Sequence, residues 1–294
     1  MEILYAALRL LPVDPVAAVS LVWSSGGPDG GAAAACTLCA ALMIATGTVT
    51  VVALQYNRAP YGKFAGDARG WWYGPLIPGS LAWALQEIPA LLTAGGAWIV
   101  AAQRDDGAHL RTISPPTILL ALFCAHYAHR SLIYPLRLRG SKPTPALIAA
   151  LAAAFCTYNG MMQGLFLARV WNPPHEVMSS PAFIAGVCLC LLGAAINYHS
   201  DGVLRALRRP GGKDKGYGIP VGGLFTYVSS ANYFGEILEW AGWALASCCL
   251  PQIAFAYFTL SNIGPRGAQH HAWLRSYFGD KYPQHRRAVI PFIW

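Results

Sequence analysis

The sequence predicts an all-α integral membrane protein, a bundle of about seven transmembrane helices. Two features of composition and one of charge placement predict it. Only 12% of the 294 residues are charged, about half the roughly 25% of a soluble domain, and 55% are hydrophobic. Apolar runs of about 18 residues or more recur along the chain, the length a helix needs to cross a bilayer. The basic residues fall in alternate connections between those runs. A transmembrane barrel would instead show alternating segments of about ten residues, and none are visible. The net charge of +8 sits in short loops rather than in a basic face, so no nucleic-acid partner is expected.

Residues 1–33 read as an extension ahead of a membrane domain at 34–294. The extension does not read as a signal peptide, because Glu2 comes first, Arg9 interrupts the apolar run, and Pro12 and Asp14 follow. The turn GGPDGG at 26–31 has no strand before it and is not a phosphate loop. The spans expected are 34–55, 75–101, 116–136, 145–169, 180–198, 223–244 and 247–263, the last two joined by a short turn near Pro251. Loops 56–71, 137–143 and 199–222 and the C-terminal tail hold sixteen of the 21 Lys and Arg residues. That alternation fits seven spans with a cytoplasmic C-terminus and the N-terminus opposite. No internal repeat is evident, which argues against a transporter built on inverted repeats. The eight cysteines lie in apolar segments and read as small buried hydrophobes, the Cys36–Cys39 pair included.

Polar residues inside these greasy segments carry the functional signal. On a helix, Ser229, Asn232, Glu236 and Glu239 fall within about a quarter turn, while Phe234, Ile237 and Leu238 point elsewhere. An ionisable group at mid-bilayer costs about 2.5–3.5 kcal/mol, so two carboxylates on one face call for a polar cavity. The alternative is a helix-packing contact through Ser and Asn, or a helix end among headgroups. In WALQEIPA, Glu87 sits near mid-span beside Gln86. A carboxyl out of water favours its neutral form and can donate a hydrogen bond to a carbonyl oxygen; alternatively it is a structural acid paired with Arg130. In CAHYAHRSLIY, Tyr127, Arg130 and Tyr134 share a face. His126 with His129, and His270 with His271, read as hydrogen-bonding residues rather than a metal site. Asn159 and Gln163, at i and i+4, suit interhelical hydrogen bonds. Asn197, His199 and Asp201 precede Arg205, Arg208 and Arg209, which suit a phosphate-bearing ligand or mark the cytoplasmic side alone. No dinucleotide fingerprint follows a strand anywhere. The residues thus describe a polar cavity among spans two to seven, open to a basic rim, suited to an amphiphilic substrate and a polyanionic cofactor.

The segments LQEIP at 85–89, LFCAHYAHR at 122–130, AFCTYNG at 154–160, INYHSD at 196–201, IPVGGLFTYVSSANYFGEILEW at 219–240 and AVIPFIW at 288–294 resemble the steroid 5-alpha-reductase family. The resemblance covers most of the chain after residue 75 and implies a seven-helix fold, NADPH as cofactor and a steroid substrate. It implies that Gln86, Glu87 and Tyr127 are catalytic, with Glu87 and Tyr127 on the steroid 3-oxo oxygen, Gln86 beside the nicotinamide and Trp83 lining the steroid pocket. It implies cofactor contacts at Asn197, Asp201, Arg208, Tyr217, Asn232, Glu236 and His270. The segment at 211–220 is longer than the family norm, with Gly218 where a basic residue is common, and Leu274 stands where an aromatic often follows the histidine pair; Lys213 or Lys215 is a substitute grip. The reaction implied is hydride transfer to carbon 5 of a 4-ene-3-oxo steroid, by a monomer in the bilayer. Rival readings are an enoyl-CoA or polyprenal reductase of the same fold, an S-adenosylmethionine-dependent membrane methyltransferase, and a non-enzymatic lipid or sterol carrier.

Overall fold

The computed structural model of the chain describes residues 30–58, 64, 70–138, 140–207 and 218–294. The expected extension falls mostly outside these residues, as do Arg208, Arg209, Lys213, Lys215 and Tyr217. Seven long helices follow in order among the described residues. They are α1 (Gly30–Tyr56), α2 (Gly79–Ala102), α3 (Pro115–Arg137), α4 (Ala146–Val170), α5 (Pro181–Ala206), α6 (Ala231–Ser247) and α7 (Leu250–Phe278). Helices α1, α2, α4 and α5 are each long and apolar enough to cross a membrane. A fifth crossing results if the turn Asp105–Arg111 and α3, bent by 65°, form one span. The protein is therefore a multi-pass helical membrane protein. A short antiparallel pair, β1 (Leu76–Ile77) with β2 (Thr144–Pro145), ties the start of α2 to the start of α4.

Small residues set the closest helix crossings. A Cβ on Gly193 of α5 would lie 2.2 Å from the Glu239 nitrogen of α6, and one on Gly235 of α6 would lie 2.5 Å from the Asn197 nitrogen of α5. Gly186 and Gly242 repeat this contact one stretch further along. Gly160 of α4 approaches the Ala90 carbonyl of α2, and Gly164 approaches Ala94. Lipid offers no hydrophobic drive between helices, so backbone contact of this kind holds them through dispersion. Between these pairs lies an aromatic core of Phe123, Trp240, Trp243 and Phe255, with the Trp243 indole donating to the Leu119 carbonyl at 3.0 Å.

Three boundaries differ from the expected spans. α6 starts at Ala231, not 223, because Gly222 and Gly223 take positive φ (96° and 53°) and lead into a 3-10 turn at Gly223–Thr226. The Ser229 and Ser230 amides then pair with the Arg287 and Ala288 carbonyls, so this stretch belongs to a contact with the tail. α5 runs on to Ala206, carrying Asn197 and Asp201 on regular helix, and α7 runs on to Phe278, carrying both tail histidines. Hydropathy ends where the bilayer does, whereas backbone hydrogen bonding does not.

Candidate active site

Arg130 is the hub of the polar interior. It lies in a π-helical turn of α3, His129–Ile133, immediately before Tyr134 and Pro135. Pro135 has no amide hydrogen to donate, and a widened turn ahead of it accommodates the missing bond. Such turns are frequent at functional sites. The buried guanidinium donates from Nη2 to Glu87 Oε1 on α2 at 3.4 Å and from Nη1 to Asp201 Oδ2 on α5 at 3.4 Å. It stands 4.6 Å over the Trp83 ring and 5.2 Å over Tyr134, and Glu236 of α6 is within its electrostatic reach. The structure shows Glu87 paired with Arg130, so it is not a lone acid. Gln86 is half-buried on α2. The Trp83 indole nitrogen is buried without a partner among the described residues.

Tyr127 lies one turn before Arg130, fixed by Phe123, His126 and Trp240, whose ring centroids are 4.7, 5.1 and 6.1 Å away. Its hydroxyl accepts from Asn159 Nδ2 of α4 at 3.4 Å. One turn away on α4, Cys156 Sγ is 4.0 Å from Glu87 Oε2. Glu87 and Tyr127 therefore reach the same turn of α4 from two different helices. Asn159 and Gln163 make interhelical bonds, as their spacing suggests.

Asn197, Asn232 and Glu236 meet where α5 crosses α6. Asn197 Nδ2 donates to the Asn232 carbonyl at 2.9 Å and to Glu236 Oε2 at 3.4 Å. Asp201 joins this group to Arg130. His270 sits apart on α7, its ring 5.6 Å from Tyr233 and 5.8 Å from Phe64. The expected polar stripe is split three ways. Glu236 faces Asn197, Glu239 takes a hydrogen from His126 Nδ1 at 2.8 Å, and Ser229 leaves the helix to bond His271 Nδ1 at 2.5 Å and Tyr282 Oη at 2.6 Å. The stripe presumed one continuous helix, and the break before Ala231 removes Ser229 from it. His271 lies past the apolar part of α7; burial, then the charges of Arg275 and Arg287, push its pKa down.

The fold adds Arg286 to the candidate phosphate-binding arginines and singles out Arg205 among those of its loop. Arg286 is buried against the Tyr282 ring, and its Nε and Nη1 have no hydrogen-bond partner among the described residues. Arg205 Nη1 is likewise buried without one, its guanidinium 5.6 Å over Tyr134. A buried donor without an acceptor is costly, and both arginines suit the phosphates of a polyanionic ligand. In the sequence Arg205 was one basic residue among five in its loop, and nothing marked Arg286 as buried.

Residues 142–294 match the family model described as 3-oxo-5-alpha-steroid 4-dehydrogenase. The chain is 44% identical over 256 residues to 3-oxo-5-alpha-steroid 4-dehydrogenase 1 of Bos taurus, covering 86% of this chain and 94% of the relative. It is 43% identical over 258 residues to 3-oxo-5-alpha-steroid 4-dehydrogenase 2 of Homo sapiens, covering 85% and 96%. The type 1 protein of Rattus norvegicus is 42% identical over 246 residues, covering 83% and 90%.

Proposed function

The chain belongs to the 3-oxo-5-alpha-steroid 4-dehydrogenase family, and on that premise we propose that it reduces the 4,5 double bond of 4-ene-3-oxo steroids with NADPH, giving 5-alpha-3-oxo steroids. NADPH, when bound, would supply a hydride for carbon 5, and the resulting enolate takes a proton from solvent at carbon 4. Glu87 and Tyr127 bind the 3-oxo oxygen and stabilise the negative charge that grows on it, a role worth about 2.7–4 kcal/mol per donor in other enzymes. Because the oxygen is anionic only late in the reaction, these contacts act on turnover more than on substrate binding. Glu87, Asp201 and Glu236 surround one guanidinium.

Trp83, stacked on Arg130, lines the steroid pocket, and Gln86 lies beside the nicotinamide. Asn197, Asp201, Arg208, Tyr217, Asn232, Glu236 and His270 hold the cofactor. The unpartnered nitrogens of Arg205 and Arg286 supply further donors for its phosphates. All seven helices cross the membrane, with the C-terminus cytoplasmic, and the protein works as a monomer in the bilayer with no nucleic-acid partner. The observation that most supports this reading is the convergence of Glu87 and Tyr127, from two helices, on Cys156 and Asn159 of α4. The test is NADPH consumption by the purified protein offered a 4-ene-3-oxo steroid. One steroid reduced per NADPH is expected; consumption only with an enoyl-CoA or a polyprenal would overturn the reading.

A further inference from the structure

Behind Tyr127 runs a line of buried amides. Gln252 Nε2 of α7 donates to Gln163 Oε1 of α4 at 3.0 Å. Gln163 Nε2 donates to the Pro251 carbonyl at 2.9 Å and to Asn159 Oδ1 at 3.2 Å. Asn159 Nδ2 donates to the Tyr127 hydroxyl at 3.4 Å. Asn159, Gln163 and Gln252 are all fully buried, so no water competes for these groups.

The orientation of an amide is decided by its partners, and here one partner has no choice. A backbone carbonyl can only accept. The Pro251 carbonyl therefore requires the NH2 end of Gln163 to face it. Both hydrogens of that NH2 are then used, the second on Asn159 Oδ1. Asn159 must in consequence turn its own NH2 toward Tyr127. At the opposite end the mismatch is left standing, because Gln252 Oε1 is buried without a hydrogen-bond partner among the described residues. An orphaned buried acceptor is costly, and it lies at the end of the line away from Tyr127.

We infer that Asn159 and Gln163 are positioning residues that fix Tyr127 as a hydrogen-bond donor to substrate, their polarity set by the Pro251 carbonyl at the α6–α7 turn. A tyrosine hydroxyl offers one hydrogen and accepts through its oxygen. With Asn159 donating to that oxygen, the hydroxyl hydrogen has no acceptor among the described residues. That hydrogen is left for a substrate carbonyl oxygen placed beside Tyr127. Reversal of the line would turn an amide oxygen toward Tyr127 and capture the hydrogen that the substrate needs. This inference rests on the reading of Tyr127 as a carbonyl-binding group.

The test is a four-cornered comparison of kcat in wild type, N159L, Y127F and the double variant, with NADPH binding used to count folded protein. The expected result is that N159L lowers kcat about tenfold with the steroid KM nearly unchanged, and by less than twofold in the Y127F background. An equal loss in both backgrounds, or no loss in either, would overturn the inference. If Y127F itself turned over at the wild-type rate, the reading of Tyr127 would fail instead. Should N159L not fold, N159D keeps the side-chain volume. Its carboxyl donates to Tyr127 when protonated and takes the hydroxyl hydrogen when ionised. The ratio of N159D to wild-type kcat should fall as pH rises from about 6 to about 9, and this slope should vanish in the Y127F background. A flat ratio, or the same slope in both backgrounds, would sink the inference.

Discussion

At the scale of the residue, the decisive group is Arg130. It joins Glu87 and Asp201, which are 43 and 71 residues from it in sequence, and it covers the Trp83 face. A buried guanidinium with two carboxylates is held by geometry rather than by screening water, so each partner depends on the other two. This makes substitutions at Glu87 informative. Glu87→Leu removes both the carbonyl contact and one anion of the pair, and steroid turnover should vanish while NADPH still binds. Glu87→Gln can still donate a hydrogen bond but cannot deliver a proton, so turnover should fall on the order of ten- to a hundredfold and remain measurable if the contact acts by hydrogen bonding. Single-turnover kinetics on the two variants, with cofactor binding in parallel, decide the matter. Wild-type turnover in Glu87→Leu would remove this residue from the carbonyl site.

At the scale of the element, the site depends on how closely α5 and α6 cross. Asn197 and Glu236 meet because Gly193 and Gly235 let the two backbones touch. A methyl group on Gly193 has no room beside the Glu239 backbone. Gly193→Ala should therefore push the helices apart and destabilise the protein by about 1–3 kcal/mol, as overpacking does elsewhere. Gly95 of α2 is the matched control, since a Cβ there meets nothing within 4 Å. Gly95→Ala should be neutral or stabilising by up to about 1 kcal/mol, because glycine is a poor helix former. Thermal unfolding of the two variants in one detergent, with and without NADPH, measures the difference. Equal unfolding temperatures would mean that the α5–α6 contact is not a constraint.

At the scale of the whole molecule, the solvent is lipid. Leu38, Leu42 and Val49 on α1, Leu92 and Ile99 on α2, Leu151 on α4 and Leu191 and Leu192 on α5 are all exposed, which is stable only where hydrocarbon covers them. The polar groups are turned inward, and the basic residues gather in loops 56–71, 137–143 and 199–222 and in the tail. Positive charge is retained on the cytoplasmic side. A reporter fused to the C-terminus should accordingly be cytoplasmic, and one fused to the N-terminus should lie across the membrane. Both reporters on one side would mean an even number of crossings, and the seven-span topology would fall.

The sequence by itself determined the membrane class and the order of the helices, because apolar run length is a local property, and its resemblance to a family named the candidate site residues. The same locality explains its errors. Period alone put Ser229, Asn232, Glu236 and Glu239 on one stripe, but the chain breaks at Gly222 and Gly223, and the tail takes Ser229. Spacing marked Asn159 and Gln163 as hydrogen-bonding residues, yet the direction of their bonds comes from the Pro251 carbonyl, 88 residues beyond Gln163. A contact of Glu87 with Arg130 was one of two readings in the sequence, and the packing of α2, α3 and α5 is what brings that pair together. Tertiary structure decided these points because a desolvated charge or amide is governed by its nearest partner, and here those partners come from distant parts of the chain.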